Sequence, residues 1–147
     1  ALKKYIEGNG KLLSICLGAQ MLLSVGNEFA KTNGLDIVTG SVDKLEGPKM
    51  KIPNVGWNQI QFSQSGKETL NSIFDGIEHN SQLYFNHSYY FNVGSLSNKN
   101  VLAVCNYSNF RFCAAFSNSH GNVFGVQFHP EKSGAVGMRI LQNYLLL

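Results

Sequence analysis

The sequence has little cysteine and no pattern that would pair the cysteines it has. Three cysteines occur in 147 residues, and none of them belongs to a Cys-x-x-Cys pair. An odd number of scattered cysteines argues against a disulfide framework and against a zinc site. It favours a reducing compartment, which makes the cytoplasm the expected location.

Two further absences narrow the possible partners. The 12 Lys and Arg residues exceed the 9 Asp and Glu residues by three and form no basic run, so a nucleic-acid partner is not expected. The sequence also has no signal-peptide pattern and no apolar run long enough to span a bilayer, so no membrane partner is expected.

The length and composition of the sequence predict one domain that covers residues 1–147, and the order of its elements predicts an α/β fold. A chain of this length with 44% hydrophobic residues can bury a single core. The first residue, Ala1, is not an initiator methionine, and residues 1–7 resemble the tail of a helix that ends at Gly8-Asn9-Gly10. We therefore expect the domain to be incomplete at its N-terminus and to lack earlier strands of its sheet.

The stretch around Cys16 has the order of a nucleophile elbow. Residues 12–15 are largely apolar and suit a buried strand, and residues 19–25 suit a helix. Gly18, which has no side chain to crowd the bend, completes a Ser14-x-Cys16-x-Gly18 spacing. The pattern predicts a thiol nucleophile on a tight turn, although a cysteine after an apolar run is often a buried packing residue.

Two other groups of reactive residues follow apolar strands. A strand over 123–128 leads to His129-Pro130-Glu131, and an aromatic strand over 83–93 is interrupted at His87-Ser88. Catalytic groups of open α/β sheets gather at the carboxyl ends of strands. A thiol nucleophile needs a base and an acid, and a histidine oriented by a carboxylate supplies both. His129 and Glu131 can be that pair, because Pro130 makes the turn rigid.

Simpler interpretations stay open for these residues. His129 and Glu131 could form a metal-ligand pair or a surface turn. No third or fourth potential metal ligand lies at a suitable spacing in the sequence, so no metal or cofactor is expected. Cys105 and Cys113 lie inside apolar strands and are predicted to be buried. The remaining histidines, His79 and His120, are predicted to be exposed in turns.

The rest of the chain is predicted to alternate strands and turns before a final helix. Trp57 lies next to a loop, where interfaces form. The final helix, from about residue 135, is expected to place Met138, Leu141 and Leu145 against the core. The other predicted elements are strands over 37–45, broken at Gly40, and over 57–62, a surface turn over 63–68, a helical turn over 70–74, and a hairpin of strands 101–105 and 112–116.

Four motifs in this order resemble the class I (triad) glutamine amidotransferases, and more narrowly the glutaminase subunits of imidazole glycerol phosphate synthase. The resemblance runs nearly end to end. The motifs are Cys16-Leu17-Gly18-Ala19-Gln20, Val55-Gly56-Trp57-Asn58, Tyr84-Phe85-Asn86-His87-Ser88-Tyr89-Tyr90, and Gly125 through His129-Pro130-Glu131 to Lys132-Ser133-Gly134.

The resemblance implies a flavodoxin-like open mixed sheet with flanking helices and a Cys-His-Glu triad. Cys16 would be the nucleophile, His129 the acid and base, and Glu131 the orienting carboxylate. Trp57 and Lys132 match positions that face the synthase partner. The residues implied for glutamine binding are Leu17, whose backbone amide would be an oxyanion donor, with Gly18, Gln20, Glu28, His87, Ser88 and Tyr89.

The sequence departs from the family pattern in two ways. Ala19 stands where methionine is usual, and Asn54-Val55 stands where histidine and a larger apolar residue are common. Family members also begin with strands and a Pro-Gly-x-Gly loop that supplies a second oxyanion amide, and we expect that segment to be missing here. Removal of one oxyanion donor lowers a rate by about a hundred- to a thousandfold.

The resemblance leads to three hypotheses. In the first, the complete protein hydrolyses L-glutamine through a Cys16 thioester and passes ammonia to a (β/α)8 cyclase partner that makes imidazole glycerol phosphate on the route to histidine. In the second, the same glutaminase feeds a synthase that amidates surface-polysaccharide sugars, for which Phe29 and the 31–34 loop are the hint. In the third, the chain is a non-catalytic remnant or regulatory partner.

Overall fold

A mixed β-sheet with few flanking helices organises the chain. The structure is a computed structural model, and it describes residues 1–64 and 72–147. The helices are α1 (Leu2–Glu7), α2 (Leu17–Gln20) and α3 (Gly134–Leu146), with 3₁₀ turns at Val93–Ser95 and Pro130–Lys132. The strands are β1 (Leu12–Ile15), β2 (Leu23–Gly26), β3 (Thr32–Asn33), β4 (Val38–Lys44), β5 (Asn54–Phe62), β6 (Gln82–His87), β7 (Tyr89–Phe91), β8 (Val101–Tyr107), β9 (Phe110–Ser117) and β10 (Val123–Val126).

Strand β9 lies at the middle of this sheet. It pairs with β7, β8 and β10, and the main strand order is β3-β2-β4-β7-β9-β8-β5-β6. β10 continues from β9 to β1, and β1 and β10 are parallel, with Ile15 opposite Val126. The residues that follow these two strands therefore emerge at the same end of the sheet, which brings Cys16 and the turn at His129 close together.

The sheet separates two apolar clusters. Phe112 and Ala114 of β9 pack into the first, with Phe128 and Ile140. Cys113, which lies between them, packs into the second, with Leu23 and Phe91. This alternation is the period of two that a strand imposes. It shifts where the pairing of β8 with β9 is irregular, so that Ala115 packs into the first cluster and Phe116 into the second. β9 is therefore covered on both faces.

The predicted hairpin and the interruption at His87-Ser88 are confirmed. β8 and β9 are joined through Ser108 and Asn109, both with positive φ, as a two-residue hairpin turn requires. The aromatic strand divides at Ser88, because β6 pairs with β5 whereas β7 pairs with β4 and β9. The predictions of burial at Cys105 and Cys113 and of exposure at His79 and His120 are also confirmed.

The helix predicted over 19–25 is wrong beyond its first turn. α2 ends at Gln20, and the chain then forms β2, in which Leu23 pairs with Val38 of β4 in parallel. Both Leu22 and Leu23 are fully buried. An apolar run that is buried on all sides has no helical period of its own, so pairing with a strand distant in the sequence determines its conformation.

The predicted core stripe of the last helix is also wrong. Met138 and Leu145 are 55% and 80% exposed, and the buried residues of α3 are Gly137, Ile140 and Asn143. Gly137 allows the close approach, since a Cβ atom there would lie 2.0 Å from the Pro130 carbonyl oxygen. The helix is therefore rotated so that its smallest residue faces the turn after β10.

Four further predictions differ from the structure or cannot be compared fully with it. β4 runs through Gly40 without the predicted break, and β5 begins at Asn54 rather than at 57. Residues 65–68 of the predicted surface turn and 70–71 of the predicted helical turn lie outside the described residues. Within residues 1–64 and 72–147, the helices are too short or too polar to cross a membrane.

Candidate active site

Cys16 occupies a strained position between β1 and α2. Its φ and ψ are 50° and −112°, a backbone conformation that L-residues rarely adopt. Its N–H donates to the Val126 carbonyl at 2.8 Å, which ties the bend to β10. The elbow is therefore present, but the positive φ lies at Cys16 and not at Gly18. A Cβ added to Gly18 would meet only Ser14 Cβ, at 4.0 Å, so the expected steric need for glycine in the bend is wrong.

The His129 ring is paired with Glu131. Its Nδ1 lies 2.7 Å from Glu131 Oε1. An ionised carboxylate only accepts hydrogen bonds, so Nδ1 carries a proton and Nε2 is the ring nitrogen left for proton exchange. Among the described residues, no group of three or more His, Cys, Asp or Glu side chains is arranged to hold a metal ion.

The turn that carries His129 is fixed to β6 at both backbone groups of Tyr84. His129 N donates to the Tyr84 carbonyl at 2.8 Å, and Tyr84 N donates to Ser133 Oγ at 2.9 Å. Ser133 Oγ in turn donates to the His129 carbonyl at 2.6 Å. Pro130 begins the 3₁₀ turn between them, where its fixed φ is favourable. The ring of Pro130 and these hydrogen bonds thus fix the backbone of His129 before any substrate binds.

The Cys16 sulfur lies among polar groups but is partly withdrawn from water. Gln127 Nε2 is 3.5 Å from it, and the sulfur is 3.8 Å from the Asn86 carbonyl oxygen. Burial raises the pKa of the thiol above its ordinary value, and the Glu131 carboxylate acts in the same direction. Hydrogen bonds from the Leu17 amide and from Gln127 act in the opposite direction. The unliganded site therefore favours the neutral thiol at pH 7.

Three of the residues expected to bind glutamine line one cavity. An open cavity of about 320 Å³ lies beside α2, and Leu17, Gln20 and Glu28 form part of its wall. Phe29, which is 98% exposed, stands at the same cavity. Gly18 lies in the exposed first turn of α2 and is not part of the wall. Glutamine binding by these residues stays a prediction.

The other three expected glutamine-binding residues lie at the break between β6 and β7. His87 is 5% exposed, and its ring packs against Phe85 and Phe112. Its Nδ1 lies 2.8 Å from the Tyr89 carbonyl, and its Nε2 lies 3.0 Å from Asn54 Nδ2. Burial lowers the pKa of His87 to about 4. Both ring nitrogens are thus bound within the protein, and a role for His87, Ser88 or Tyr89 in glutamine binding stays a prediction.

The two residues expected to face a partner meet on one aromatic ring. Trp57 is 52% exposed and contacts Tyr84 edge to face, with ring centroids 6.0 Å apart. The Lys132 Nζ atom lies 6.0 Å from the centroid of the same Tyr84 ring. Val55, 50% exposed, adds apolar surface on β5. We call these four residues the Trp57 surface. A partner interface at this place stays a prediction.

Sequence reasoning missed Gln127 and Tyr84 as site residues. Gln127 is a polar residue within the apolar stretch 123–128, and it is fully buried. A buried polar side chain needs a hydrogen-bond partner, so its position in that stretch was the available signal. Tyr84 acts mainly through its backbone, for which an individual side chain gives no signal. Both residues lie within motifs that the sequence already singled out.

Known proteins that resemble this chain identify its family. Residues 1–146 match the family model described as glutamine amidotransferase class-I. The chain is 42% identical over 144 residues to the imidazole glycerol phosphate synthase subunit HisH of Methanosarcina barkeri and 40% identical over 150 residues to that of Pelagibacter ubique. It covers 67% of the length of each of these relatives, which in turn match 98% and 99% of this chain.

Two solved structures share the fold at low identity. A putative GMP synthase component from Thermoplasma acidophilum gives a TM-score of 0.65 at 24% identity, and PurLQS from Thermotoga maritima gives 0.67 at 18%. The matches cover 98% and 99% of this chain, which spans 60% and 65% of those two chains. With the family model and the sequence relatives, these structures lead to one assignment. The chain belongs to the class I glutamine amidotransferase family.

Proposed function

We propose that the protein containing this chain is the glutaminase subunit of an imidazole glycerol phosphate synthase. It hydrolyses L-glutamine to glutamate and ammonia, and a (β/α)8 cyclase partner uses the ammonia in histidine biosynthesis. One observation carries the proposal. Cys16 occupies an elbow at the end of β1, whose parallel partner β10 leads into the His129–Glu131 pair, in a chain 42% identical to a subunit of that name.

The first half of the proposed reaction forms a thioester. The Cys16 sulfur attacks the side-chain amide carbon of glutamine, and a carbon–sulfur bond forms as the carbonyl oxygen becomes an oxyanion. The Leu17 N–H is the proposed oxyanion donor. His129 takes the thiol proton and delivers it to the departing nitrogen. The carbon–nitrogen bond breaks, and ammonia leaves.

The second half hydrolyses the thioester. His129 removes a proton from water, the resulting hydroxide attacks the thioester carbon, and the carbon–sulfur bond breaks. Glutamate leaves, and the sulfur regains its proton. Glu131 supports both halves by accepting a hydrogen bond from the Nδ1–H group of His129, because this fixes the tautomer and stabilises the imidazolium that forms at each step.

The substrate and partner are proposed from different regions of the chain. The cavity beside α2 carries one acidic side chain, Glu28, which suits the α-ammonium group of an amino acid. The Trp57 surface carries an exposed indole, an exposed valine and a cation. Tryptophan and tyrosine side chains are enriched where interfaces concentrate their binding energy.

The test is to produce the protein from its complete reading frame, mix it with the candidate cyclase and add L-glutamine. We expect glutamate and ammonia to form in equal amounts, and the complex to make imidazole glycerol phosphate from glutamine. A complex that requires free ammonia and never consumes glutamine would contradict the proposal.

A further inference from the structure

A continuous set of polar contacts leads from the backbone of β7 to the Cys16 sulfur. Gln20 Nε2 lies 3.1 Å from the Tyr89 carbonyl oxygen and 3.2 Å from Gln127 Oε1. Gln127 Nε2 lies 3.5 Å from Cys16 Sγ. Gln127 is fully buried, and its backbone N–H donates to the Ala114 carbonyl at 2.9 Å, which anchors the residue to β9.

The direction of every hydrogen bond in this set follows from one carbonyl. The Tyr89 carbonyl oxygen can only accept, so the Gln20 atom that faces it is the NH₂ group. The second hydrogen of that NH₂ group faces Gln127, which must present its oxygen there. The Gln127 NH₂ group consequently faces Cys16, where it can only donate.

The two side-chain and carbonyl contacts of the sulfur, with Gln127 and Asn86, therefore favour opposite protonation states. The Asn86 carbonyl accepts a hydrogen bond, so it favours the neutral S–H group. The Gln127 amide donates one, so it favours a sulfur that carries negative charge. Donation to an ionised acceptor is stronger than donation to a neutral one. The contact with Gln127 should tighten as the thiol loses its proton.

We propose that Gln127 is a positioning residue for the nucleophile: its side-chain amide, held in one orientation by Gln20, donates to the Cys16 sulfur and stabilises the thiolate. This role deepens the proposed glutaminase function and rests on it for its catalytic meaning. Gln20 acquires a second role besides the glutamine binding predicted for it, because it decides which end of the Gln127 amide faces the sulfur.

The charged groups around the sulfur are few among the described residues. The turn after β10 carries Glu131, which disfavours the thiolate, together with the titratable ring of His129 and the cation of Lys132. β6, which supplies the Asn86 carbonyl, carries Tyr84 and His87 as its titratable side chains, and His87 is held neutral by burial. α2 carries no titratable side chain. The Glu131 carboxylate is unfavourable to a negatively charged sulfur, and the Leu17 amide and the Gln127 side chain are the donors that act against it.

The test measures the thiol of Cys16 directly in the protein produced from its complete reading frame. The rate of alkylation by iodoacetamide is followed against pH, with glutamine absent. Cys105 and Cys113 are fully buried and should react slowly, and mass spectrometry of the peptide that contains Cys16 makes the measured rate specific to that thiol. Gln127→Met, which keeps the side-chain length but has no donor, is expected to move the midpoint of the profile upward by about one pH unit.

A second substitution tests whether the Gln127 amide acts through its hydrogen-bond donor or only through its shape. Gln127→Glu keeps the shape and replaces the donor with a carboxylate that repels the thiolate, so the upward movement should be at least as large. Gln142→Met on the exposed face of α3 is the matched control and should leave the midpoint unchanged. A folded Gln127→Met protein with the wild-type midpoint would overturn the proposal.

A further variant covers the case in which Gln127→Met does not fold. Gln20→Leu removes the group that orients Gln127, and the midpoint should move in the same direction by a smaller amount. An unchanged midpoint in that variant overturns the proposal equally. Alkylation needs no turnover, so these results stand apart from the glutaminase assay, in which inactivity of the wild-type complex would refute the proposed function instead.

Discussion

His129 Nδ1 and Glu131 Oε1 lie 2.7 Å apart in a turn whose backbone is fixed to β6. The carboxylate therefore occupies Nδ1 and leaves Nε2 as the ring nitrogen that exchanges protons in the proposed mechanism. Replacement by the isosteric amide leaves the shape unchanged but removes the charge that stabilises the imidazolium and allows the wrong tautomer.

We expect Glu131→Gln to lower kcat for glutamine hydrolysis by about 10²- to 10⁴-fold, the range of general acid–base effects, with little change in KM. Steady-state assays of ammonia release measure both constants. Glu78→Gln, in an exposed turn, is the control and should behave like the wild type. Normal kcat in Glu131→Gln would remove Glu131 from the mechanism.

The buried ring of His87 predicts a loss of stability in acid. Burial lowers its pKa from 6.5 to about 4. A histidine whose pKa is lower in the folded state binds more protons when unfolded, so its stabilising contribution is complete above pH 6.5 and is lost as the pH falls toward 4. The difference amounts to roughly 3 kcal/mol.

Urea unfolding at several pH values between 7.5 and 4.5 measures this contribution. The free energy of unfolding should fall steeply below pH 6.5 in the wild type and much less steeply in His87→Gln. His120→Gln, which removes an exposed histidine, should keep the wild-type slope. Equal slopes in all three proteins would show that His87 titrates normally.

Two strand glycines should respond differently to a methyl group. A Cβ atom at Gly125 would lie 2.2 Å from the Phe116 ring, whereas one at Gly26 would meet nothing within 4 Å. Gly125→Ala is therefore expected to lower the free energy of unfolding by about 1–3 kcal/mol, the usual cost of overpacking a core. Gly26→Ala should leave it nearly unchanged. The denaturant midpoints of the two variants measure this difference. Equal midpoints would contradict the close packing of Gly125 against the Phe116 ring.

The Trp57 surface predicts a specific loss of partner affinity. Trp57→Ala should weaken binding of the cyclase by about 2 kcal/mol, or about thirtyfold in Kd. Leu145→Ala, at the exposed end of α3, is the matched apolar control and should bind normally. Titration calorimetry gives both constants. An unchanged Kd for Trp57→Ala would place the interface elsewhere on the molecule.

The elbow and the His129–Glu131 pair could be predicted from the sequence because each depends on residues close together in the chain. A strand that runs into Cys16 and a proline between His129 and Glu131 restrict the local backbone whatever the rest of the chain does. The sequence also led us to expect that such groups gather at the carboxyl ends of strands, and the structure adds that β1 and β10 are a parallel pair.

The failures involve contacts between distant segments. Residues 23–26 became a strand because Leu23 pairs with Val38, and no local period distinguishes that strand from a buried helix. The last helix has apolar residues on more than one face, so its buried face depends on where Gly137 meets the turn at Pro130. Gln127 escaped notice because its side-chain partners, Gln20 and Cys16, are more than 100 residues away.

The central claim is that Cys16 is the nucleophile that releases ammonia from glutamine. The most direct measurement compares wild type and Cys16→Ala in complex with the cyclase, with either glutamine or free ammonia as nitrogen source. We predict that Cys16→Ala loses glutamine-dependent synthesis entirely and keeps ammonia-dependent synthesis at the wild-type rate. Glutamine-dependent synthesis by Cys16→Ala at the wild-type rate would contradict the account.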